Sequence, residues 1–250
     1  MWLAARSLRT ALAKRQLVRA ELRIADLVTT DLTGDSVVDI VARGKHLLIR
    51  LGSGRTLHNH LRMDGSWRVQ PSHRAVVDPH DHVRVVLGND DATALGYRVH
   101  DIALVPTTDE ATLVGHLGPD LLGPDWDAAE AVRRLAADKD RSVGEALLDQ
   151  RNLAGAGNVF KAETCFLRGL SPWTPIGDVG DIDGLVNLAH RLLVANRERH
   201  DHVTTGDSRP VGAPGFTVAM ASRACGVALR CGSSGRATRR GSVTGAPAAN

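Results

Sequence analysis

LLDQRNLAGAGNVFKAETCFLRG, residues 147–169, sets a Gly155-Ala156-Gly157 turn between two helical patterns. The first helix opens upstream at a capping box, Ser142-x-x-Glu145, and runs to Asp149. The second is predicted from Asn158 to Arg168 and stops at Gly169, with Pro172 beyond. A helix that begins at such a turn leaves its first backbone N–H groups without intrahelical partners. Glycines at 155 and 157 permit unusual dihedrals and close approach of another backbone. Free N–H groups at the positive end of the helix dipole suit an anion, and a phosphate fits there. Asn158 adds a side-chain donor and Arg151 a second partner for a phosphate oxygen. An ordinary helix–helix corner with a glycine cap satisfies the same spacing.

Upstream the period changes from 3.6 to 2. SVVDIVA, HLLIRL, RTLHNHL, SWRV, HVRVVL, ATALGYRV and DIALVP are short, rich in Val, Ile and Leu, and separated by Gly, Asp, Asn or Pro. Gly52-Ser53-Gly54 and Asp64-Gly65 read as hairpin breaks. These strands predict an antiparallel sandwich or barrel, preceded by an amphipathic helix over residues 3–15. Near residue 109 the pattern becomes helical, with further helices over 125–138 and 182–202. After Thr204 it dissolves into Gly, Ala, Ser, Arg and Pro. The fold class is therefore α+β: an N-terminal antiparallel β-sandwich over 1–108, a helical region over 109–207 and an irregular tail over 208–250.

Composition narrows the class only loosely. The 250 residues carry a formal charge of +3, but six arginines and no acidic residue fall between Ser208 and Asn250. Residues 1–207 hold 25 basic groups against all 28 acidic ones, a net of −3, so global charge does not argue for nucleic acid. No apolar run reaches the roughly 20 residues of a membrane span. The opening MWLAARSLRTALAKRQ lacks the apolar core of a secretory signal. Three cysteines, an odd count, fit a reducing cytoplasm better than a disulfide framework. HNH at 58–60 evokes a metal nuclease, yet alternation puts His58 and His60 on one face with no acidic cluster at ligand spacing. DPHDH at 78–82 reads as a polar inter-strand loop, and Cys165 as a buried helix residue.

The segment LLDQRNLAGAGNVFKAETCFLRGLSP resembles the helix-two-turn-helix element of the formamidopyrimidine-DNA glycosylase and endonuclease VIII family. ARGKHLLIRL resembles that family's lysine-bearing strand, HLRMDGSWRV its Met-bearing hairpin, and HLGPDLL (116–122) the start of its helical domain. These cover roughly residues 3–207 in family order, nearest to the actinobacterial endonuclease VIII type. The resemblance implies a bifunctional DNA glycosylase/AP lyase that removes oxidised bases from double-stranded DNA in base excision repair, working as a cytoplasmic, nucleoid-associated monomer. It implies that Lys45 neutralises the phosphate beside the lesion and that Met63 fills the gap left by the flipped nucleotide. His60 would line the same surface, while Arg151, Gly155, Gly157 and Asn158 would grip backbone phosphates.

Two departures qualify the resemblance. Members of the family begin Pro-Glu-Gly-Asp, the proline amine attacking sugar C1′ and the glutamate serving as acid–base partner. This sequence begins Met-Trp-Leu. Met1 falls where a valine follows the family's opening, and a GTG codon is read as Met when taken as an initiator. The nucleophile and acid are accordingly expected just upstream of Met1, with Met1 itself several residues short of the pocket. The family also closes on a zinc finger of two Cys-x2-Cys pairs. Here only Cys225 and Cys231 remain, spaced Cys-x5-Cys, so four tetrahedral ligands are lacking, no metal or cofactor is expected, and a shifted reading frame near 208–225 is the expected origin. The rival readings are a damaged-DNA binder without chemistry and an RNA-binding module built on a similar turn.

Overall fold

The computed structural model describes residues 1–78 and 81–198, all within one compact unit, Met1–Gly206. Residues 79–80 of the polar loop, and the tail with Cys225 and Cys231, lie outside the described residues.

Helix α1, Trp2–Leu12, opens the chain and buries Ala5, Leu8 and Leu12 along one stripe. Eight strands follow: β1 Arg19–Leu22, β2 Val37–Arg43, β3 His46–Leu51, β4 Arg55–His60, β5 Ser66–Pro71, β6 Val83–Gly88, β7 Ala92–Tyr97 and β8 His100–Pro106. They form two four-stranded antiparallel sheets, ordered β1-β6-β7-β5 and β2-β3-β4-β8. Seven of these strands match the predicted runs. The eighth, β1, escaped notice because RAEL carries a single fully buried side chain, Leu22, and no legible alternation.

The inner faces contribute Ile40, Leu47, Ile49 and Leu57 from one sheet and Val85, Leu87 and Ala94 from the other, with the α1 stripe in the same core. At about 25 cal/mol per Å² this apolar burial is the main force holding the sandwich together. Gly52-Ser53-Gly54 makes the expected hairpin between β3 and β4. Asp64-Gly65 does not. β4 pairs with β3 and β8, whereas β5 pairs with β7 in the other sheet, so residues 61–65 cross between sheets. Two adjacent alternating runs with a Gly between them cannot show from sequence which sheet each joins.

Past Pro106 the elements are helices: α2 Glu110–Val114, α3 Ala128–Leu135, α4 Val143–Leu148, α5 Asn158–Leu167 and α6 Ile182–Asn196. They are shorter than predicted at their ends. The Ser142–Glu145 capping box opens α4 as read, with Ser142 Oγ accepting from the Glu145 N–H and donating to its carboxylate. Gly169, at φ +64°, terminates α5, and the Leu170 N–H returns to the Cys165 carbonyl at 2.9 Å. Leu121, Leu135, Leu147, Leu153, Cys165, Leu185 and Leu193 belong to a second core under these helices. No described helix is long and apolar enough to cross a membrane.

Candidate nucleic-acid interface

The turn 150–157 is built by side chains as much as by glycine. Gln150 donates from Nε2 to the Leu148 and Ala156 carbonyls, and its Oε1 accepts the Gly155 N–H at 3.0 Å. Asn152 Nδ2 donates to the Ala146 carbonyl, tying the turn back to α4. Gly155 sits at φ +103°, a region that side chains disfavour. Segment 117–122 packs along this turn: the Gly118 N–H reaches the Gln150 carbonyl, and Ala154 exchanges backbone bonds with Pro119 and Leu121. Gly157 caps α5 with extended backbone, leaving the first N–H groups of that helix at the surface.

Lys45 lies on the tight turn between β2 and β3, and the buried Asp120 joins that turn to the helices. Its Oδ2 accepts the Gly44 N–H at 2.6 Å, and its Oδ1 accepts the Leu122 N–H at 3.0 Å. Gly44 takes φ +57°, and a Cβ there would stand 3.1 Å from Ala154 Cβ. The consequence is that Lys45 Nζ comes within 3.6 Å of where a Gly157 Cβ would be. Two features read separately, 112 residues apart in the chain, therefore form one site. Lys45, Gly155, Phe160, Asp120 and Asn196 line a cavity of about 200 Å³. Burial lowers the Lys45 ammonium pKa, and no carboxylate is among the causes of that shift. A half-buried cation of this kind is suited to an incoming anion.

Met1 and Trp2 also line this cavity. The helix α1 begins at Trp2 and lays its Ala5, Leu8 and Leu12 stripe on the sandwich core, so its N-terminus reaches the cavity lined by Gly44 and Lys45.

The other candidates are not among the residues that line the cavity. Asn158 is exposed, with Oδ1 accepting from Lys161 Nζ at 3.3 Å. Arg151 is exposed but already engaged: Nε and Nη2 bond the Asp149 carboxylate at 3.0 and 2.9 Å. Arg151 and then Arg141 hold the Asp149 carboxyl far below the usual carboxylate range. Met63 is 97% exposed on the inter-sheet crossing. His60 ends β4, its Nδ1 accepting the Arg62 N–H at 2.9 Å.

His60 belongs to a group that the sequence reading discarded with HNH. His46 Nδ1 and His58 Nε2 are 2.8 Å apart, and the His46 ring lies 5.2 Å from His60 and 6.3 Å from His116. Asn59 points the other way, its Oδ1 accepting from Trp67 Nε1 at 3.2 Å, so alternation along β4 holds. Burial, then the neighbouring histidines, push the His46 pKa down to about 4. His58 and His60 are lowered as well, again chiefly by burial. Among the described residues no group of three or more His, Cys, Asp or Glu is placed to hold a metal ion. Asp120 is the residue that sequence reasoning missed; its signal was present in HLGPDLL but its partner was not.

Residues 2–101 match the formamidopyrimidine-DNA glycosylase N-terminal domain family. The chain is 50% identical over 244 residues to the probable endonuclease 8 2 of Streptomyces coelicolor, covering 96% of this chain and 86% of that protein. It is 43% identical over 208 residues to a DNA-(apurinic or apyrimidinic site) lyase of Mycolicibacterium smegmatis, covering 82% and 79%. Among solved structures, the Lactococcus lactis formamidopyrimidine-DNA glycosylase bound to abasic-site DNA superposes with a TM-score of 0.66 at 22% identity, covering 78% of this chain and 75% of that one, a likeness of fold. With half of its residues shared with one relative along nearly its whole length, and with the sandwich, helices and turn described above, the chain belongs to the formamidopyrimidine-DNA glycosylase/endonuclease VIII family.

Proposed function

We propose that this protein is a DNA repair glycosylase/AP lyase that recognises oxidised bases and abasic sites in double-stranded DNA. The observation that carries the reading is the convergence of Lys45 on the N-terminus of α5 at Gly157, beside the cavity that Lys45 lines with Gly155 and Phe160. A phosphate seated there meets a point charge and the free N–H groups of a helix end together. Identity to relatives named as endonuclease 8 and as an abasic-site lyase supports the same reading.

In this reading Lys45 holds the phosphate beside the lesion, and Gly155, Gly157 and Asn158 hold its neighbours. Arg151 reaches a phosphate with the guanidinium edge that Asp149 leaves free. Met63 enters the stack as the damaged nucleotide leaves, offsetting part of the few kcal/mol that flipping costs. His60 lies beneath the same surface. Residues 1–108 supply the lysine and the wedge, and residues 109–207 the phosphate grip, in a cytoplasmic monomer.

None of the residues named above is assigned the attack on the sugar. Zinc enters no step either: the finger that the family implies needs four ligands, and the donor set of the tail, Cys225 and Cys231 with Asp207, does not supply them. The test pairs binding with chemistry. Fluorescence anisotropy should show preference for a duplex carrying a tetrahydrofuran abasic analogue over intact DNA and over duplex RNA; equal affinity for all three refutes damage recognition. Borohydride trapping on an abasic duplex reads the chemistry: a covalent complex supports the lyase, with its nucleophile outside the residues named above. Selective binding without trapping supports instead a damage reader that lacks chemistry.

A further inference from the structure

The crossing 61–65 runs from β4 in one sheet to β5 in the other, and no strand ladder holds it. Beside it the chain returns between β7 and β8, crossing the same gap in the opposite direction. The registers require this adjacency: His60 pairs with His100 across β4–β8, and Ser66 pairs with Tyr97 across β5–β7.

The two crossings are clamped together around Met63. On one side Arg62 grips the Asp101 carboxylate with both Nε and Nη2, at 2.8 and 2.6 Å. On the other, His100 Nε2 meets Asp64 Oδ1 at 2.8 Å. Gly65 lies under the return segment, where a Cβ would stand 3.0 Å from the Arg98 carbonyl. Both chain neighbours of Met63 are thus pinned, while Met63 itself reaches solvent.

The backbone carries strain at the same place. Arg62, Arg98 and Asp101 all adopt positive φ, near +50°, although none is glycine. Such conformations persist only where surrounding contacts enforce them. Yet Arg62 and Asp101 are 58% and 45% exposed, and His100 and Asp64 40% and 50%. Polar contacts this exposed add little to the stability of the whole fold. Their effect is local: they order a loop that would otherwise lose conformational entropy at the moment of binding.

We propose that Asp101 and His100 are positioning residues for Met63, holding its crossing in the projecting geometry needed to enter the DNA stack. This rests on the reading of Met63 given above and concerns neither the cavity nor its lysine. Asp101→Asn is the informative variant, because Asn keeps both the shape and the tolerance of positive φ while losing the charge. Stacking is read by 2-aminopurine placed beside the tetrahydrofuran analogue in a duplex.

The melting temperature of Asp101→Asn should stay within about 2 °C of the parent, as loss of an exposed pair implies. Its affinity and its fluorescence response should fall about two- to fivefold, and Asp64→Asn should do the same in smaller measure. The exchanged pair Arg62→Asp with Asp101→Arg should recover most of the response. Parent-like fluorescence and affinity in Asp101→Asn would overturn the proposal. Parent binding with Met63→Ala giving an unchanged signal would remove the wedge, and this inference with it. Absence of damage-selective binding by the parent is a separate result, directed at the proposed function.

Discussion

Asp120 accepts the backbone N–H of Gly44 at 2.6 Å, and that bond fixes how the lysine turn of the sandwich sits against the helices. Its second oxygen holds the Leu122 N–H, so one carboxylate, only 3% exposed, satisfies two backbone donors. Asp120→Ala strands both. The expected loss is about 2–4 kcal/mol, summed from two unsatisfied buried groups, visible as a lower urea midpoint with unchanged slope. A parent-like midpoint would show that water replaces the carboxylate.

Gly44 and Gly157, on either side of Lys45, should respond differently. Gly44→Ala meets both a positive φ and Ala154 Cβ, and should cost about 1–3 kcal/mol of stability. Gly157→Ala meets neither, since its φ is −128° and Lys45 Nζ is at ordinary contact distance. It should fold normally and bind abasic-site DNA less tightly, because its methyl occupies the space between lysine and helix end. Equal destabilisation of the two variants in urea titrations would contradict the geometry.

Lys45→Met should weaken binding to the abasic duplex and reduce the slope of log K against log salt by about one unit. The folded protein should not suffer, since the change removes a half-buried cation whose pKa burial already lowers. An unchanged slope would show that Lys45 neutralises no phosphate.

Asn158→Ala removes an exposed side chain at the first turn of α5, and should cost about 1–3 kcal/mol of DNA affinity with no loss of stability. Isothermal titration at matched salt checks this. Arg151→Ala should cost less, because Asp149 holds two of its donors.

The histidine group predicts a pH dependence of stability. The folded-state pKa of His46, about 4, lies below its unfolded value near 6.5. Between these values the unfolded chain binds more protons, so stability rises with pH. The contribution is complete above about pH 6.5 and is lost as pH falls toward 4, on the order of 1–3 kcal/mol. His58 and His60 act in the same direction. Urea midpoints at pH 7.5 and 5 should differ by more in the parent than in His46→Asn; parallel curves would place the acid sensitivity elsewhere.

Local patterns, which depend on a few neighbouring residues, determined the elements of this protein. Alternation marked β2 to β8, Ser142 and Glu145 marked the start of α4, and Gly169 marked the end of α5. The Gly155-Ala156-Gly157 turn and the lysine of RGKHL were legible for the same reason, and with them the family. Tertiary structure alone decided what these pieces meet. Asp120 lies 76 residues from Gly44, and Arg62 lies 39 from Asp101. Which sheet receives β5, and hence whether Met63 sits on a hairpin or a crossing, depends on pairing register across the whole sandwich. A period of 2 or 3.6 records which face of an element is buried, and the partner of that face is selected only when all the elements pack at once.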